Sequence, residues 1–154
     1  MGFVEKPGKS RRVLIAEDNE DDYLLTRDAF LEAGLPVELL WVKDGEELMD
    51  FLKRDIPELI LLDLNMPKKN GKEALAEIKS NKRLKRVPVV AFSTSGSDHD
   101  VQSTFDLGIN SYIQKPVGFD RYVRVLTSLY QYWFETSRIP SGQPTGRRAS
   151  SDAA

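Results

Sequence analysis

Apolar residues in this chain gather into short blocks separated by longer amphipathic stretches. The blocks lie near 12–17, 37–42, 59–63, 89–93 and 111–114, and are rich in Val, Ile or Leu. Blocks of this length and composition fit strands buried on both faces. Between them, segments near 21–33, 45–54, 71–80 and 98–107 read as helices, and another follows at 118–135. Gly34-Leu35-Pro36 stops the first helix and Pro57 precedes the third strand, both at places where such residues break an element. Five strand-then-helix units in strict alternation predict an α/β fold, a parallel sheet with helices on both faces and right-handed crossovers. The pattern leaves the strand order open.

The ends of the chain depart from this pattern. Residues 1–10 are polar, with Gly and Pro, and are expected to form a flexible tail; 137–154 is expected to be a disordered tail, since Ser, Gly, Pro, Arg and Ala dominate it from Ser141 onward. The ordered unit expected is 11–136. With about 20 residues after Glu135, no DNA-binding module is expected beyond it.

A length of 154 residues suits one domain, and a formal net charge of −2 gives no reason to expect nucleic acid or an acidic membrane as partner. The absence of Cys rules out disulfides, thiolate metal sites and a Cys nucleophile. The apolar runs fall far short of the roughly 20 residues a membrane helix needs, and the N-terminus has no apolar core of signal-peptide length. The expected location is the cytoplasm.

Polar residues that follow the strands change the picture. Val13-Leu14-Ile15-Ala16 leads into Glu17-Asp18, Leu59-Ile60-Leu61-Leu62 into Asp63, Val89-Val90-Ala91-Phe92 into Ser93-Thr94, and Ser111-Tyr112-Ile113-Gln114 into Lys115-Pro116. In a parallel sheet these carboxyl ends share one edge, where open α/β sheets bind ligands. Each acidic residue has an ordinary alternative: Asp63 could cap a turn, and Asp18 or Asn19 could cap a helix beginning near Glu20. Together they point elsewhere. Carboxylates held close repel unless a cation joins them, and Mg²⁺ suits a set of hard oxygen ligands. Such a metal neutralises an incoming phosphoryl group. Ser93 offers a hydroxyl and Lys115 a charge to the phosphoryl oxygens, leaving Asp63 as the nucleophile that forms an aspartyl-phosphate.

In this order the motifs resemble a receiver domain of a two-component response regulator. The resemblance is carried by Val13-Leu14-Ile15-Ala16-Glu17-Asp18-Asn19, Leu61-Leu62-Asp63-Leu64-Asn65-Met66-Pro67, Asn70-Gly71, Pro88-Val89-Val90-Ala91-Phe92-Ser93-Thr94-Ser95, Gly108 and Tyr112-Ile113-Gln114-Lys115-Pro116. It implies a flavodoxin-like (βα)5 fold with strand order 2-1-3-4-5. It implies that Asp63 accepts phosphate from a sensor histidine kinase or phosphotransfer protein, and that the chain signals to a downstream protein target or through a phosphorelay. Glu17, Asp18 and Asp63 would surround Mg²⁺ with the backbone carbonyl of Asn65, Glu17 acting through water. Lys115 would pair with the phosphate, the Lys115–Pro116 peptide would be cis, and Tyr112 would turn inward when Ser93 is drawn to the phosphate. The chain further resembles the small stand-alone receivers that partner bacterial phytochromes, through Glu17-Asp18-Asn19-Glu20-Asp21-Asp22, Asp44-Gly45-Glu46-Glu47, Ser93-Thr94-Ser95, Lys115-Pro116-Val117 and Tyr130-Gln131-Tyr132-Trp133-Phe134.

Other signals carry less. Gly8-Lys9-Ser10 lacks the Gly that a phosphate-binding P-loop requires five residues earlier, where Phe3 stands. His99 reads as solvated, and Lys79, Lys82, Arg83, Lys85 and Arg86 as a solvated helix end. An aspartyl-phosphate phosphatase resembling the haloacid dehalogenases would want Asp where Asn65 stands. A flavodoxin-like nucleotide or flavin binder would want a phosphate cradle where Glu17-Asp18-Asn19-Glu20-Asp21-Asp22 stands. The last helix is the exception: Phe119, Tyr122, Val123, Leu126, Tyr130 and Trp133 form a stripe that Val125, Leu129, Tyr132 and Phe134 widen. One sheet face needs a stripe of roughly 100°, so a homodimer is expected, with Tyr130 and Trp133 near the centre of its interface.

Overall fold

The computed structural model describes residues 10–140, so the expected tails fall outside the described residues except for Ser10 and 137–140. Five strands, β1 (Arg11–Ala16), β2 (Val37–Val42), β3 (Leu59–Leu62), β4 (Val89–Ser93) and β5 (Ser111–Gln114), alternate with helices α1 (Glu20–Glu32), α2 (Gly45–Arg54), α3 (Gly71–Ser80), α4 (Asp98–Asp106) and α5 (Phe119–Tyr130). The sheet is wholly parallel in the order β2-β1-β3-β4-β5, the flavodoxin-like order expected. No described helix is long and apolar enough to cross a membrane.

The period-two geometry of strands sorts the core. Leu14, Ile60, Leu62, Val89 and Ala91 face α2 and α3, where Leu48, Leu52, Leu75 and Ile78 meet them. Val13, Ile15, Leu59, Leu61, Val90 and Phe92 face α1 and α5, against Phe30, Tyr122 and Leu126. Every residue of β3 and β4 is buried. That is why those two strands read as unbroken apolar runs.

Side chains cap four of the helices as they leave the strand-end loops. Asn19, Asp44, Asn70 and Ser97 each accept the backbone N–H three residues on. Asn70 and Glu73 complete a capping box. Of the two caps weighed for α1, Asn19 is the one used, which leaves the Asp18 carboxylate to the site.

The last helix differs from expectation. After Tyr130 it widens into a π-helical turn, Gln131–Thr136, in which the N–H of Ser137 reaches the carbonyl of Tyr132 at 2.6 Å. Within this wider winding Phe134 packs over Tyr130, ring centroids 5.2 Å apart, and Trp133 rests half-buried at the edge of the same core. Tyr130 is only 7% exposed and belongs to the core of its own chain, so it cannot sit at the centre of an interface. Trp133 is half-buried and Tyr132 is 52% exposed. With Tyr112, Ile113, Val125 and Leu129 they line a groove of about 660 Å³ between β5 and α5. Ile139 is half-buried against the same core, three residues past the boundary expected for the ordered unit.

Candidate functional site

Strand register brings the site together. Ala16 pairs with Leu62, so the next residues, Glu17 and Asp63, emerge side by side. Glu17 donates its N–H to Val42, and Asp63 donates its own to Ala16. Ser93 ends β4 opposite Gln114, and the N–H of Lys115 bonds the Ser93 carbonyl at 2.7 Å. Glu17, Asp63 and Ser93 are all buried, whereas Asp18 and Asn65 are exposed at the mouth.

One oxygen from each of Glu17, Asp18 and Asp63 lies within 4.8 Å of the other two. Lys115 enters from the far strand, its side chain 5% exposed. Its Nζ lies 2.6 Å from Glu17, 2.9 Å from Asp22 and 3.6 Å from Asp63. Burial and a hydrogen bond with Asp63 push the Glu17 carboxyl up to about 8, against the pull of Lys115. Burial works to lower Lys115, but its bonds to Asp22 and Glu17 and the charges of Glu17 and Asp63 outweigh this and raise it. A carboxylate pushed upward beside two others marks a surplus of negative charge, which a hard cation would relieve. The residues therefore fit a divalent metal with oxygen ligands.

The backbone fixes the acceptor position. The N–H of Asn65 donates to Oδ1 of Asp63 at 3.1 Å and holds the carboxylate. The N–H of Gly71 bonds the Leu64 carbonyl, and α3 approaches so closely that a Cβ at Gly71 would lie 2.5 Å from the Asp63 carbonyl oxygen. Next to Asp63 in the chain, Leu64 and Asn65 border a cavity of about 510 Å³ with Asp18, Ser93, Lys72 and Asp100, roomy enough for a phosphoryl group.

Two expectations need correction or refinement here. Lys115–Pro116 is trans, as no cis peptide occurs among the described residues. Trans is the lower state of most X–Pro bonds, and the turn into α5 is taken instead at Gly118, φ +98°. Tyr112 is half-buried, and its hydroxyl donates to the carbonyl of Ser95 at 2.8 Å. That bond ties β5 to the loop after Ser93.

The sequence reading missed several contributors. Asp22, quoted only as part of an acidic run, is a direct partner of Lys115. Trp41, stacked on Tyr23 at 4.1 Å, donates its indole N–H to the Glu17 carbonyl at 2.8 Å, so β2 steadies the acidic pair. No local motif announces either contact. The basic cluster proves partly structural. Lys79 donates to the carbonyls of Lys85 and Val87 and to the Asn110 side chain, and Arg83 to the carbonyl of Leu52. Lys82, Lys85, Arg86 and His99 are exposed.

Comparison with known proteins agrees with this geometry. The response regulator receiver domain family matches residues 13–127. The chain belongs to that family. It is 36% identical over 136 residues to the response regulator Rcp1 of Synechocystis, covering 84% of this chain and 92% of that one. The receiver also superposes on the phosphorylated cyanobacterial phytochrome response regulator RcpA, with TM-score 0.81, 38% identity, and 86% of this chain and all of that one covered. A Mn²⁺-bound structure of Rcp1 gives TM-score 0.77 at 36% identity, over 85% and 99% of the two chains. Receivers are phosphoacceptor switches rather than enzymes in the ordinary sense; they take phosphoryl groups from histidine kinases and act on partner proteins.

Proposed function

We propose that Asp63 is the phosphoacceptor of this receiver and that the reaction depends on Mg²⁺. The observation that carries this is the convergence of Glu17, Asp18, Asp63 and Lys115 at the carboxyl edge of the sheet, Asp18 at its exposed mouth. An Asp63 oxygen attacks phosphorus, the phosphoryl group leaves its donor, and Lys115 turns from Glu17 and Asp22 to the new phosphoryl charge. Asn65 keeps the attacking carboxylate oriented through its N–H. Glu17, Asp18 and Asp63, with the Asn65 carbonyl, would hold Mg²⁺, which when bound supplies charge neutralisation to the transferring group. Ser93, drawn toward the phosphoryl group, would pass the change to Tyr112. Slow self-dephosphorylation completes the cycle.

The donor is read as a sensor histidine kinase of the phytochrome type or a phosphotransfer protein. The likeness to Rcp1 and RcpA supports the phytochrome assignment. The output is read as contact with a downstream protein or a phosphorelay, in the cytoplasm, by a receiver spanning 11–136 and the packed Ile139 beyond it. A homodimer through the groove between β5 and α5 and the turn that follows is supported by the 52% exposure of Tyr132 and by the groove that it lines with the half-buried Trp133.

Incubation with acetyl phosphate and Mg²⁺ tests the acceptor. The wild-type chain should take up one base-labile phosphate and Asp63→Asn none, with the fold intact. Uptake by the Asn variant would overturn the assignment.

A further inference from the structure

The cavity bordered by Asp18, Asn65 and Ser93 is also bordered by Lys72 and Asp100, which belong to a second polar network that phosphoryl chemistry does not need. Lys72, in the first turn of α3, places Nζ 3.1 Å from Oδ1 of Asp100 and 2.9 Å from the Ser103 hydroxyl, both on α4. The other Asp100 oxygen accepts the Ser95 hydroxyl at 2.5 Å. Ser95 is thereby held at three points. Its hydroxyl is on Asp100, its carbonyl receives Tyr112, and its N–H reaches the Ser93 hydroxyl oxygen at 3.3 Å. Ser95 and Lys72 hold the Asp100 carboxyl below the usual carboxylate range, as expected of a carboxylate used as a fixed acceptor.

We propose that Lys72 and Asp100 are positioning residues that latch α3 to α4 across the acceptor pocket and hold Ser95, and through it Ser93, in the arrangement without a phosphoryl group. The inference rests on Asp63 being the acceptor. A swing of the Ser93 oxygen toward a phosphoryl group on Asp63 would take it away from the Ser95 N–H that it accepts at 3.3 Å. Each further bond on Ser95 opposes the loop shift that this allows. A phosphoryl group shifts the equilibrium only by what it gains in one state over the other, so the latch subtracts from that gain. Both latch side chains are about one-third exposed, and the pair sets the ease of switching rather than the stability of the fold.

Beryllofluoride with Mg²⁺, a stable mimic of the phosphoryl group, gives the test by ¹⁹F NMR titration. Lys72→Met and Asp100→Asn should each bind it about three-fold more tightly than wild type, on the scale of an exposed ion pair. The double variant should gain no more than either single one. Exchanging the charges, with Lys72→Asp and Asp100→Lys together, should return binding toward wild type, which a loss of helix packing would not. Unchanged or weaker binding in the single variants, or additive effects in the double one, would overturn the latch. Binding to wild type that is lost in Asp63→Asn keeps the acceptor reading intact whatever the latch variants do. No binding to wild type would remove both.

Discussion

Lys115 and Glu17, 98 positions apart in the chain, meet with Nζ 2.6 Å from Oε1, and the same Nζ lies 3.6 Å from Asp63. The pair lets two buried carboxylates, Glu17 and Asp63, lie beside the exposed Asp18. Lys115 occupies the negative field that a metal and then a phosphoryl group would take over, and it must be rearranged as each arrives.

Removing that ammonium leaves Glu17 and Asp63 buried without their cation. Lys115→Met should lower the stability of the metal-free protein by about 3 kcal/mol, the low end for a broken buried pair because Glu17 can take up a proton. Mg²⁺ should restore part of the loss. Thermal melts in chelator and in Mg²⁺ check this, and an unchanged melting temperature in chelator would count against it.

A pH dependence follows from the Glu17 carboxyl, pushed up to about 8 by burial and Asp63. Between its ordinary value near 4.5 and about 8, the folded chain holds a proton that the unfolded chain has released. Raising pH through that window therefore disfavours folding. Lys115, also raised, holds its proton throughout this range in both states and adds no slope. In chelator, stability should fall from pH 5 to 8. Glu17→Gln should remove most of that slope, and a slope equal to wild type in the variant would refute the assignment.

Gly71 tests the close approach of α3. A methyl group there would meet the Asp63 carbonyl oxygen and the Leu64 Cα, each at 2.5 Å, and neither belongs to a flexible side chain. Gly71→Ala should cost about 1–3 kcal/mol, the range for overpacking, and slow phosphate uptake because the strain falls on the acceptor loop. Urea denaturation with an acetyl phosphate time course reads both. A variant equal to wild type in both would show that the loop yields freely.

Assembly through α5 is open to a direct test. Tyr132→Ala with Trp133→Ala should weaken self-association by roughly 2 kcal/mol or more, as aromatic anchors do, while Tyr130 and Phe134 keep the monomer folded. Sedimentation at micromolar concentration decides it. A clean monomer in wild type, phosphorylated or not, would end the dimer reading.

The parts of this receiver legible in sequence were those that repeat a local rule. β3 and β4 are buried on both faces and so read as apolar runs, and the polar residues after them had to share one edge once the sheet was parallel. Helix starts were legible in part, since Asn19 was one of the two caps weighed for α1 and Asn70, a motif residue, is also a cap. Contacts between elements were not. Lys72 and Asp100 lie 28 positions apart on different helices, and nothing in the spacing pairs them. Lys79 likewise looked like one more surface cation until three acceptors gathered on it. The position of Trp133 depended on helix winding, which the stripe of aromatics took to be regular.

That winding has a consequence for how the aromatic surface is made. A π-helical turn amounts to one residue too many for a regular helix. The six residues from Gln131 to Thr136 thus leave Tyr132 exposed and Trp133 half-buried by an error of count, not by composition. A chain one residue shorter, with Gln131 deleted, would have room to close the turn and rotate its end. Trp133 would then move toward the core, and its emission, read in a Trp41→Phe background, would shift to the blue. If the emission stayed where it is, the display of Trp133 would owe nothing to the extra residue.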